Sequence, residues 1–142
     1  MPTKLIGSVG LAVAGGTPSP YTRTTSFVIA CSDETTALTT GTKVTFRLPF
    51  AFTITEVRAS LTIAGTGANL VTLDFEQNGT SILSTKITIN ATQLTSTTAT
   101  TAPEILTSAL TDDASIDCDV DQIDSGGVSA GLKMYLIGYK TL

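Results

Sequence analysis

From Thr25 to the end of the chain, apolar side chains recur at every second position, and no segment carries a sustained helical stripe. A period of two belongs to the extended strand, whose side chains point alternately to opposite faces. In "KVTFRLPF", Val44, Phe46 and Leu48 fall on one face and Thr45 and Arg47 on the other. Pro49 ends that pairing because it has no amide to donate. "TITEVRASLTI" continues with Val57, Ala59, Leu61 and Ile63, but Ile54 is out of phase by one residue, which predicts a β-bulge near Thr55 and Glu56. "LVTLDFEQNGTSIL" sets Val71, Leu73 and Phe75 inward and Thr72, Asp74 and Glu76 outward. It then turns at Asn78-Gly79, the pair best suited to a two-residue hairpin.

"SFVIAC", "TKITIN", "ASIDCDVDQI" and "AGLKMYLIGYK" bring the total to about seven or eight strands, separated by turn signals such as "GTGAN" and "DSGGVS". The expected fold is all-β: an antiparallel β-sandwich, jelly-roll-like, formed by residues 25–142. Thr92 to Asp113, rich in Thr, Ser and Ala, reads as a long connection with a turn of helix at "PEILTSAL", opened by Pro103. A chain of 142 residues fits one domain and needs no covalent staple. Cys31 and Cys118 sit among apolar neighbours in no metal-binding spacing and read as buried free thiols, compatible with a reducing compartment.

Residues 1–24 read as a separate unit. "MPTKLIGSVGLAVAGG" resembles a secretory leader in its apolar run and Ala12-to-Ala14 pattern, but Gly7, Gly10 and Gly15 interrupt or end it and only one lysine precedes it. The run is also shorter than the roughly 20 apolar residues that span a bilayer, so no membrane partner is expected. "GGTPSPYTR" then forbids helix or central strand. The expectation is an extended N-terminal arm whose Leu5, Ile6, Val9, Leu11 and Val13 contact a neighbour.

Only 14% of the residues are charged, mean hydropathy is +0.30, and threonine makes up roughly a fifth of the chain. So lightly charged a surface suits a protein covered by neighbouring subunits. The net charge of −4 and a pI near 4.5 argue against nucleic acid. All of that net charge lies in residues 105–142, which carry six aspartates against two lysines, whereas residues 1–104 balance six acids with six bases.

Within it, "SIDCDVDQI" alternates Ile116, Cys118 and Val120 with Asp117, Asp119 and Asp121, placing three carboxylates on one strand face about 6–7 Å apart. Three readings stay open: a solvated or interface-facing acidic strand, a calcium ligand set, or pairing with Lys or Arg across a contact. Against calcium, an EF-type loop starting at Asp117 needs Gly and Glu where Gln122 and Val128 stand. Lys133 and Lys140 are the nearest candidates to compensate the charge within the chain.

Catalysis has little support. Without histidine there is no Ser-His-Asp or Cys-His constellation and no histidine metal site. The aspartates share one flat face rather than flanking a bond, and no tryptophan offers a sugar platform. No catalytic residue, cofactor or enzyme activity is expected.

The stretches "RLPFAFTITEVRASL", "GTSILSTKITI", "DQI" and "GLKMYLIGYK", within residues 26–140, resemble a recurring domain of structural proteins from tailed bacteriophages. The resemblance implies a β-sandwich virion component assembled in the host cytoplasm, with no catalytic residues to carry over. The Gly-rich apolar arm and Cys118 depart from the pattern. The expected function is that of a capsid decoration or cement protein, a homo-oligomer expected to be a trimer, partnered by the major capsid protein or other virion subunits. The alternatives are a tail-fibre or spike domain binding a host glycan, and a tail or connector component.

Overall fold

The computed structural model describes residues 23–142; the expected arm contacts at Leu5, Ile6, Val9, Leu11 and Val13 lie outside the described residues. Within them the chain forms β1 (Thr25–Ala30), β2 (Gly41–Arg47), β3 (Phe52–Ser60), β4 (Val71–Gln77), β5 (Thr80–Ser81), β6 (Leu83–Thr85), β7 (Ile87–Ile89), β8 (Glu104–Ile105), β9 (Ala109–Leu110), β10 (Ser115–Gln122) and β11 (Lys133–Lys140). The long strands are divided between two antiparallel sheets. The first has the order β1-β11-β3-β9, and the second the order β2-β10-β4-β5 with β7 also on β4. A β6-β8 pair forms a small third sheet. The expected all-β sandwich is the fold observed.

Alternation explains the core. Phe52, Leu73, Phe75, Ile87, Ile116, Met134 and Leu136 meet between the sheets with almost no exposure. Each such side chain contributes roughly 1.5–3 kcal/mol by leaving water. Phe27 adds an edge-to-face contact with Phe52 at 5.0 Å between centroids.

The bulge falls where the phase slip predicts it. Glu56 opposes Ile137 and Ile54 opposes Gly138, leaving Thr55 as the extra residue. Phe52 and Ile54 therefore point inward ahead of the bulge, and Val57 and Ala59 beyond it. The hairpin also forms as expected, with Asn78 and Gly79 both at positive φ and Gln77 opposite Thr80.

Three expectations need correction. "PEILTSAL" forms no helix: its residues supply β8 and β9, which pair with β6 and β3, and a 3-10 turn lies earlier at Ser96–Thr98. Sheet partners override a weak helical start when the flanking Thr and Ser favour extended backbone. Ile63 lies beyond the end of β3 and is 40% exposed rather than inward. Asp74 occupies the outward face of β4 yet is only 2% exposed, because the β5–β7 excursion folds over it.

Candidate interaction surfaces

The two sides of the sandwich are built differently. Along one side the chain after β7 closes the gap between sheets. Leu61 N–H donates to the Leu94 carbonyl at 2.9 Å, Ala59 N–H donates to Ser96 Oγ at 2.9 Å, and Ser60 bridges Thr95. Along the other side lie β1 and β2, the outer strands of the two sheets, and among the described residues neither has a strand on its free edge. Phe27 of β1 and Phe46 of β2 meet across this mouth at 6.3 Å between centroids.

The inward residues there, Phe27, Ile29, Val44 and Phe46, are only half-buried, as is nearby Phe50, whose ring carries the Lys140 ammonium at 5.3 Å. On the outer side of β1, Val28 is exposed. Two unpaired strand edges framing half-covered aromatic side chains are what strand addition by another chain segment completes.

The second surface is the outer face of the second sheet. In the β10–β4 register Asp117 lies opposite Glu76 and Asp119 opposite Asp74, so the acidic face of β10 meets another on β4. Each expected site residue has its own surroundings. Asp117 Oδ1 accepts the Thr45 hydroxyl at 2.6 Å. Asp121 pairs with Lys86 at 2.5 Å, and the same ammonium reaches buried Asp74 at 3.5 Å, where Ser81 Oγ also donates at 2.7 Å. Asp119 is 9% exposed, and its Oδ1 is buried with no hydrogen-bond partner among the described residues.

Burial raises the Glu76 carboxyl above its ordinary range, and the Asp119 and Asp74 charges push it the same way. Lys86 is held protonated more firmly than usual by its hydrogen bond to Asp121 and by Asp74, against the opposing effect of burial. Among the described residues no three Asp, Glu, Cys or His groups converge as a metal site, and Asp117, Asp119 and Asp121 do not do so.

Compensation comes from Lys86, not from the expected lysines. Lys133 pairs with Glu34, and Lys140 lies over Phe50. Lys86 was missed because its segment, "TKITIN", comes to lie beside β4 only through the tertiary fold. The signal available was Asp74, an acid in a strand otherwise flanked by inward apolar residues.

At one end of the sandwich, Asp124 ties two glycine-rich loops together. Its carboxylate accepts the amides of Thr66, Val128 and Ser129 at 3.0, 3.1 and 3.2 Å and the Ser129 hydroxyl at 2.5 Å. Burial alone would raise this acid, but the Ser129 hydroxyl and the three amides hold it down to about 2. The loops "GTGAN" and "DSGGVS", candidates for ligand recognition, are thus braced against each other.

Outside β3 runs a groove of about 450 Å³ lined by Glu56, Arg58, Ser96, Thr97, Pro103 and Ile105, with no aromatic wall. Among the described residues no helix is long and apolar enough to cross a membrane. Comparison with family models, curated proteins and solved structures gives no match.

Proposed function

We propose that this chain is a virion structural protein, a decoration or cement subunit that joins its neighbours on the outer shell of a phage head. The observation that supports this reading best is the unequal closure of the sandwich. One side is sealed by backbone hydrogen bonds, and the other presents half-buried Phe27 and Phe46 between two strand edges that have no partner strand among the described residues. A protein working alone gains nothing from an open apolar seam, whereas one completed by its neighbours needs it. The occupant that fits is the apolar segment around Leu5 to Val13 of the same or a sister chain, since the arm leads directly into β1. A homotrimer exchanging arms would give every seam its strand.

The low charge and the threonine-covered faces fit a subunit embedded in an assembly. A glycan-binding tail role has less support: the loops at the Asp124 end are internally braced, and the groove outside β3 lacks the flat aromatic platform that sugars use. Immunogold labelling of particles tests the reading. Label distributed over the head is expected; label confined to the tail tip overturns it. Deleting residues 2–20 should leave a folded sandwich that no longer binds expanded heads.

A further inference from the structure

We infer that Glu76 and Asp119 form a proton-binding pair on the outer face of the second sheet, in which the neutral Glu76 carboxyl donates its proton to Asp119 Oδ1. In the β10–β4 register Asp119 stands directly opposite Asp74 and Asp117 opposite Glu76, so four carboxyl groups occupy a two-by-two block on one face. Glu76 is the diagonal neighbour of Asp119, a separation that a long side chain spans. Asp119 is only 9% exposed, and its Oδ1 lies enclosed within this block with no hydrogen-bond partner among the described residues. An enclosed carboxylate oxygen without a donor is costly, so the fold has to supply one.

The neighbours narrow the choice. The Thr45 hydroxyl donates to Asp117, the Ser81 hydroxyl to Asp74, and Lys86 is shared by Asp74 and Asp121. On the other side of β10, β2 sets Thr42 rather than a cation opposite Asp119. Its Arg47 stands opposite Ser115 and turns to Asp113, and its Lys43 turns to Thr39 and Thr40. Because Oδ1 is enclosed, neither a guanidinium nor a hydrated metal ion reaches it, whereas a proton needs no room. Besides Asp119, Glu76 is the one carboxyl group of the block with neither an ion pair nor a donor among the described residues. Burial, and then the charges of Asp119 and Asp74, all favour its protonated form.

The proton is taken from water as pH falls and returned as pH rises. Folding raises Glu76, so its ionisation opposes the folded state above the folded pKa, and the opposition fades as pH falls through that value. Asp124 acts in the opposite sense and at lower pH: lowered from 3.8 to about 2, it loses its support for the fold only as pH falls towards 2. Between those windows Asp124 is still ionised and the pair is closed. The second sheet is thus a joint that tightens in mild acid and loosens towards neutrality and above. This stands independently of the proposed particle role.

The test is a side-chain carboxyl NMR titration of the isotope-labelled full chain, folded and in urea. Glu76 is expected to titrate at higher pH in the folded than in the unfolded chain, and the Asp119 carboxyl signal to move in the same step. Asp119→Asn should lower the Glu76 titration at least about twice as far as Asp117→Asn does. Asp117 stands directly opposite Glu76, so simple like-charge repulsion would give it the equal or larger effect; only a shared proton singles out Asp119. Glu76 titrating alike in both states overturns the inference. So does an Asp119 signal that stays still while Glu76 titrates, or an effect of Asp117→Asn as large as that of Asp119→Asn. The two signals of the parent chain decide the outcome even where a variant folds poorly.

Discussion

Gly138 shows how a single residue can fix a strand. It sits inward on β11 opposite the Thr55 bulge, and a Cβ there would overlap the Thr53 carbonyl oxygen and crowd the Ile54 backbone. Gly138→Ala should therefore lower stability by about 2 kcal/mol or more, read as a lower urea midpoint with unchanged slope. Asp124 works through charge. Its folded pKa of about 2 lies below the ordinary value of 3.8, so the ion favours the folded state. That contribution, on the order of 2 kcal/mol, is complete above pH 4 to 5 and is lost as pH falls towards 2. Asp124→Asn aims an amide donor at backbone donors. The stability gap between parent and variant should be flat near neutrality and shrink between about pH 4 and 2.

At the scale of elements, β10 and β4 together carry Asp74, Glu76, Asp117, Asp119 and Asp121 around Lys86. Glu76 is raised, so ionising it opposes folding: the penalty is present above its folded pKa and disappears as pH falls through that value towards the unfolded one. Glu76→Gln should stabilise the protein at pH 7 by roughly 0.2–1 kcal/mol, with the gain vanishing near pH 4, as thermal melts at both pH values would reveal. Lys86→Met leaves buried Asp74 without its cation and should lower the melting temperature clearly.

Much of this level was legible in the sequence. The alternation of Ile116, Cys118 and Val120 with the aspartates, the slip at Ile54 and the Asn78-Gly79 turn each rest on short-range geometry that a linear reading captures. What was not legible depends on residues that only the tertiary fold brings together. Asp74 is buried only because Lys86 and Ser81 fold over it, and the segment from Pro103 to Leu110 is extended only because β3 and β6 offer it edges.

For the whole molecule, the main ladders join strands distant in sequence: β1 with β11, β11 with β3, β2 with β10 and β10 with β4. Such a topology delays the reward for closing loops and leaves edges unprotected until late. Among the described residues one side of the sandwich is sealed and the other is not, and that asymmetry carries the functional proposal. Val28 offers a way to separate stability from assembly, because it is exposed on the edge strand β1. Val28→Lys should change folding stability by no more than about 0.5 kcal/mol yet weaken attachment to expanded heads at least tenfold, since a charge on an edge strand discourages strand addition. The most direct measurement is amide hydrogen exchange of the free chain against the chain mounted on particles. The account predicts that β1 and β2 gain protection of tenfold or more on mounting while β3, β10 and β11 change little; unchanged exchange in β1 and β2, with new protection confined to the Asp124 loops, would contradict it.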